Sequence, residues 1–222
     1  MKLLLPQINN SFDFAQNKVN RLVIENSSEF ARVIQKFKNQ VDFGESYASL
    51  FDDIVEQNFT KLVEIIYSPI EFNINTPLLL NSLHKNLSME TSNEQSFLKT
   101  VELKRHIVNY IQDLLYNKDA DLLYDDDPDI SKVFKMLGVR YNDVYETIVE
   151  KLFKFLVASQ ELGSKEIFLF VNLSDYLSSE EKTTFYKTVL AKNIKIFLID
   201  RNFYERNSLE NLTLIDKDLC EL

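Results

Sequence analysis

Glycine is nearly absent from this chain. Only Gly44, Gly138 and Gly163 occur among 222 residues, so few positions take a positive φ at low cost. Neither GxGxxG nor GxxxxGK[ST] is present, and three scattered glycines cannot compose one. A phosphate-cradling loop, and the nucleotide hydrolysis it serves, is therefore not expected. Cysteine is scarcer still: Cys220 stands alone, which rules out an intrachain disulfide and fits a reducing cytoplasm. Two histidines, His84 and His106, fall on separate helical stretches with no second ligand at metal spacing. A zinc site or a Cys–His nucleophile pair has almost no material. Long apolar runs are missing too. MKLLLPQINN is short and broken by Pro6, and nothing later approaches the ~18 residues of a membrane span, so neither export nor insertion is expected. An excess of positive charge is also lacking. A net charge of −9 and a pI near 4.9 speak, at first reading, against a nucleic-acid partner.

What is present is ordinary for a folded domain, with 45% hydrophobic and 27% charged residues. Its clearest feature runs from Glu166 to Asp200. Ile167–Val171 and Ile194–Ile199 are too apolar to face water on either side and read as strands of a parallel sheet covered by helices. Between them Ser178 and Glu181 have capping-box spacing, and the helix they open carries Phe185 and Val189 on one face. Strand, capped helix and strand make a right-handed βαβ unit. Ser174-Asp175 follows the first strand without a glycine elbow and reads as a turn. That strand ends Val171-Asn172, where a nucleotide hydrolase would place a metal-holding acid. The second ends Asp200-Arg201, a pair able to act on phosphate or to cap a turn.

Further strands are expected at Met1–Leu5, Arg21–Ile24, Tyr47–Phe51 and Leu212–Ile215. The run Leu62–Tyr67 fits either a strand or a helix. Asn26 to Glu29 offer caps for a helix carrying Phe30, Val33, Ile34 and Phe37. From Thr76-Pro77 the pattern turns helical, with an apolar face from Leu78 to Leu87. A long helix is expected over about 95–116, and a short one opened by Pro128-Asp129 and ended by Gly138. Another is expected over about 144–161. The organisation inferred is an α/β domain made of residues 1–61 and 141–222, interrupted by an α-helical insertion over 62–140.

Between two of these helices lies the strongest local signal. Residues 119–129 hold six aspartates, among them Asp121, Asp125, Asp126 and Asp127. Such a run supplies the oxygen ligands that calcium or magnesium takes. It is not an EF-hand loop, since no glycine sits in its middle and no glutamate closes it. The alternative is a solvated acidic turn that favours the next helix's N-terminus. These six aspartates are two-thirds of the excess negative charge, while residues 132–140 hold Lys132, Lys135 and Arg140 and no acid. A divalent metal in the loop would leave Lys99, Lys104, Arg105, Lys132 and Lys135 to meet phosphates; solvated helix faces are the competing reading for each.

Taken together, the segment Ala120-Asp121-Leu122-Leu123-Tyr124-Asp125-Asp126, the following Phe134–Val139, the strand Glu166–Asn172 with Leu177-Ser178, and Ile194–Asp200 resemble a known family. It is the small ring-forming, DNA-end-binding protein of type II-A CRISPR systems. The resemblance spans essentially the whole chain and lies in pattern and order, since none of its motifs is catalytic. It implies a P-loop-ATPase-like head, akin to transporter ATPase cores but without a working phosphate loop, and a helical leg. It further implies a non-enzymatic, cytoplasmic homotetramer whose ring threads linear double-stranded DNA, steadied by Ca²⁺. Its role would be spacer acquisition in antiviral defence, beside other CRISPR adaptation proteins and the RNA-guided nuclease. Asp121, Asp125 and Asp126 match the family's acidic ligand region. The extra Asp127-Pro128-Asp129 departs from it and leaves the ligating oxygens open. The choice of channel cations rests on charge alone. Two other readings remain: a protein-interaction scaffold on a degenerate nucleotide-binding fold, which recruits adaptation proteins without touching DNA, and a divergent phosphotransferase, which the missing glycines disfavour.

Overall fold

The computed structural model describes every residue except Gln7, Asn117, Asp119 and Ser164. In chain order the first elements are β1 (Lys2–Leu4), β2 (Phe12–Asp13), β3 (Val19–Ile24), α1 (Ser27–Phe43), β4 (Ser49–Asp52), β5 (Val55–Gln57), α2 (Phe59–Leu62) and β6 (Val63–Ile66). Then come α3 (Pro77–Glu90), α4 (Phe97–Leu115), α5 (Ile130–Met136) and α6 (Ile148–Glu161). The chain closes with β7 (Ile167–Val171), α7 (Ser179–Ala191), β8 (Lys195–Asp200) and β9 (Glu210–Ile215).

These elements fall into two compact units. One is Met1–Ile74 with Asp143–Leu222, and the other is Asn75–Asn142. The first is a mixed α/β unit built on a five-stranded, all-parallel sheet in the order β6-β7-β8-β3-β9. All five residues of β7 and all six of β3 are buried, as expected of strands covered on both faces. Leu22, Ile24, Leu169, Phe197 and Ile199 pack on one side with Val33 and Phe37 of α1. The same cluster takes in Leu3, Phe12 and Leu50 from a small antiparallel sheet, β2-β1-β4-β5. On the other side Phe168 meets Phe155 of α6 edge-on at 5.7 Å, and Phe170 meets Phe185 of α7 at 6.1 Å. Alternation along each strand thus feeds two separate cores.

Local chemistry sets the helix ends. The Asn26 side chain accepts from the N–H groups of Ser28 and Glu29 at the start of α1, and Gly44 ends it at φ 73°. Ser178 and Glu181 form the full capping box of α7. The ambiguous run after Leu62 is the strand β6, paired with β7 from Val63↔Ile167 onward. The insertion therefore begins near residue 75 rather than 62, because Val63 and Ile66 fill the sheet's buried edge. The helix expected from 144 starts at Ile148, where the Thr147 hydroxyl accepts from Glu150 N–H. Tyr145 instead lies against the Lys151 ammonium, 5.1 Å from ring centre to Nζ. No described helix is long and apolar enough to cross a membrane.

Candidate functional site

In parallel sheets of this kind ligands usually bind at the carboxyl ends of the strands. Here a closed ionic network spans the sheet, from Glu210 at the start of β9 through Arg21 to Asp200 at the end of β8. Arg21 of β3, fully buried, donates from Nε to Asp200 Oδ2 at 2.7 Å and from Nη1 to Glu210 Oε2 at 3.3 Å. Ser174 Oγ donates to Asp200 Oδ2 at 2.6 Å, and Tyr186 Oη to Glu210 Oε1 at 2.9 Å. Lys182 Nζ stands 3.6 Å from Glu210 Oε1. Burial pushes the Asp200 carboxyl above the usual range, against the pull of Ser174 and Arg21. It also raises the Tyr186 phenol, with Glu210 adding to the effect. The two buried cations face the two carboxylates, so the network satisfies itself and aims no charge outward.

The residues after β7 and β8 serve the same end. Asn172 takes φ 52° and its Oδ1 accepts from Arg201 N–H at 2.9 Å. Where a metal-holding acid would stand, an amide braces a turn. Asp200 is committed to Arg21 and Ser174, which leaves Asp200-Arg201 no role as a phosphate pair. Ser174 lies in a 3₁₀ turn, Leu173–Asp175, and donates its hydroxyl inward.

The second unit holds the site residues chosen from sequence. Its chain ends are tied by Asn75, whose side chain donates to Tyr141 O at 3.1 Å and accepts from Tyr141 N–H at 2.9 Å. The buried His84 ring meets Val139 O through Nε2 at 2.8 Å, joining α3 to the segment after α5. Asp129 caps α5, accepting from Ser131 N–H at 2.9 Å. Its carboxyl is held below the usual aspartate range, first by the Ser131 hydrogen bonds and then by Lys132 and Lys135.

A groove of about 620 Å³ runs beside α4, with Lys104, Arg105, Asp126 and Asp127 in its lining and Phe97 and Val101 among its apolar residues. Four of the nine site residues chosen from sequence thus meet in one place. Lys99, Lys132, Lys135, Asp121 and Asp125 lie outside that lining. Within the groove opposite charges pair: Lys104 Nζ stands 2.6 Å from Asp127 Oδ1. Arg105 sits 4.0 Å from Glu102. Lys99, Arg105, Lys132 and Lys135 are all exposed.

The described aspartates are not gathered into a calcium cage. Among the described residues no group of three or more His, Cys, Asp or Glu side chains is placed to hold a metal. Asp125 Oδ1 accepts from Asp127 N–H within its own loop at 3.1 Å, and Asp127 is engaged with Lys104. Asp119, the first aspartate of the stretch, lies outside the described residues.

Sequence reading missed what makes α4 unusual. The helix carries many apolar residues, yet none of its 19 residues is fully buried. Leu98 is 75% exposed, and Leu123 in the acidic loop 96%. It missed the Arg21 network as well. The only signal was an arginine opening an otherwise apolar strand.

Comparison with known proteins gives a consistent answer. The sequence model of the CRISPR-associated Cas_Csn2 family matches residues 40–219. The CRISPR-associated protein Csn2 of Streptococcus agalactiae is 28% identical over 202 residues, which cover 89% of this chain and 87% of that protein. The Csn2 protein of Enterococcus faecalis is 23% identical over 203 residues, covering 84% and 90%. Among solved structures, Stu0660 of Streptococcus thermophilus superposes with a TM-score of 0.56 at 12% identity, over 97% of this chain and 75% of that one. That last likeness is one of fold.

Proposed function

The chain belongs to the CRISPR-associated Csn2 family, and from that premise we propose that it binds double-stranded DNA, preferentially linear, as a ring of four copies acting in spacer acquisition. Binding is non-catalytic and sequence-independent, and it rests on phosphate contacts. The observation that carries this reading is the exposure of Lys99, Arg105, Lys132 and Lys135 on one helical unit. The exposed apolar residues of α4, Phe97, Leu98 and Val101 among them, support assembly, because such a surface is available to a second copy. The all-parallel sheet supports a head related to transporter ATPase cores. A glycine loop has no counterpart after β3, where Glu25-Asn26-Ser27 leads straight into α1.

Calcium enters this proposal through the acidic composition of residues 119–129 alone, since among the described residues no three carboxylates gather into a metal site. The deciding experiment is a gel shift with linear and covalently closed DNA at low salt, run with calcium and then with a chelator. The expected result is retardation of the linear form in calcium, lost as salt rises. No retardation of linear DNA in calcium overturns the proposal. Stable co-elution with another adaptation protein, with no salt-sensitive DNA binding, supports the scaffold reading instead.

A further inference from the structure

A cleft of the α/β unit lies not at the carboxyl ends of its strands but at the opposite edge. About 720 Å³ in volume, it lies where β3, β8 and β9 begin and α7 ends, a size typical of small-ligand sites. Three lysines line it: Lys18, Lys187 and Lys195. No carboxylate does, although the whole chain carries −9. Lys195 is partly engaged, 3.1 Å from Glu166 outside the lining. Lys18 and Lys187 are exposed, and neither has a hydrogen-bond or ion-pair partner for its ammonium among the described residues.

A helix C-terminus would ordinarily repel an anion. Here the carbonyls of Thr188, Val189 and Leu190 are already taken by the N–H groups of Lys192, Ile194 and Asn193. Phe14, Leu190 and Leu209 supply an apolar part of the wall. We infer that this cleft binds phosphate groups through Lys18, Lys187 and Lys195. The phosphates come either from a DNA backbone or from a free polyphosphate. The DNA form of the inference rests on the DNA-binding function proposed above; the polyphosphate form does not.

The test uses the full chain with both exposed lysines reversed, Lys18→Glu with Lys187→Glu, against a control of equal charge change elsewhere on the unit, Lys36→Glu with Lys217→Glu. Binding of a short labelled duplex is followed by anisotropy across a salt series. Thermal unfolding is followed with added tripolyphosphate. If the phosphates are those of DNA, the cleft variant weakens duplex binding about ten-fold more than the control does at low salt. Its slope of log affinity against log salt falls by roughly two relative to that control. If they are those of a free polyphosphate, tripolyphosphate raises the Tm of the wild type and the control but not of the cleft variant. Either result supports the site. Should the wild-type chain bind duplex while the two variants match each other in both measurements, the cleft inference fails and the DNA-binding function stands. Should the wild type bind no duplex, that function fails, and tripolyphosphate alone decides the cleft: an equal Tm response, or none, in all three proteins overturns it.

Discussion

The two units treat charge in opposite ways. In the α/β unit Arg21, Asp200, Glu210 and Lys182 are buried and answer one another across three strands and a helix. In the helical unit Lys99, Arg105, Lys132 and Lys135 stand in solvent, and no residue of the long helix α4 is fully buried. Burying ions is expensive unless each is matched, so the charge of this network is fixed by the fold and unavailable to a partner. Exposed ions cost little and contribute little to stability. The second unit is therefore free to vary its charges for binding, and function should be sought there before it is sought in the better-packed sheet.

The sharpest way to break this contrast is a substitution at Arg21. Arg21→Ala leaves Asp200 and Glu210 buried without their shared cation, and should lower unfolding free energy by about 3–5 kcal/mol in urea titration. Arg105→Ala in the helical unit should stay within about 0.5 kcal/mol of wild type. Equal losses at the two arginines would mean that the exposed cation is structural after all.

DNA binding should show the reverse order. Lys99→Glu and Lys132→Glu should each weaken duplex binding about ten-fold and reduce the salt slope by roughly one, without shifting the unfolding midpoint. A slope that does not move would take both residues out of the phosphate contacts and would leave Arg105 and Lys135 to carry them.

How much of this was legible follows from the range of each interaction. The βαβ unit was readable because its signals are local: two apolar runs, and a serine three residues from its glutamate. The insertion was readable in kind from Thr76-Pro77 onward, but not at its start, since an apolar run as short as β6 fits either period. The hairpin strand β5, with Val55 and Glu56 both exposed, has no apolar face to announce it. The Arg21–Glu210 pair spans 189 positions, and no local pattern announces a contact at that distance. In the helical unit the aspartates and lysines were found by composition. That Lys104 pairs with Asp127 while Lys132 and Lys135 flank the Asp129 cap depends on how the loop folds back, which composition does not carry.

A smaller effect tests whether the carboxyl end of the sheet is scaffold. Asn172→Ala removes both the side chain that accepts from Arg201 N–H and a residue type that tolerates φ 52°. It should cost about 1–2 kcal/mol. Asn172→Gly, which restores the backbone freedom and not the hydrogen bond, should recover part of that loss. If Ala and Gly destabilise equally, the left-handed conformation contributes nothing and the amide contact carries the effect.

The finest distinction between the units is one of sign in their response to acid. Glu181, at the start of α7, has its carboxyl lowered from the ordinary 4.5 by Ser178 N–H and then by the Ser178 hydroxyl. Asp129, at the start of α5, is lowered from 3.8 by Ser131. In each case the unfolded chain binds the proton more tightly. The stabilisation is therefore present above the unfolded value and is lost as pH falls through the folded one. Asp200 behaves in the opposite sense: burial raises its folded pKa above 3.8, so its contribution is present below the unfolded value and is lost as pH rises through the folded one. Carboxyl-carbon NMR titration should place Glu181 and Asp129 below their ordinary values and Asp200 above. The α/β unit then holds carboxylates that respond to acid in opposing senses, while Asp129 in the helical unit loses its stabilisation as the pH falls. Asp200 titrating below its ordinary value would reverse that distinction, because the pairing with Arg21 would then outweigh burial.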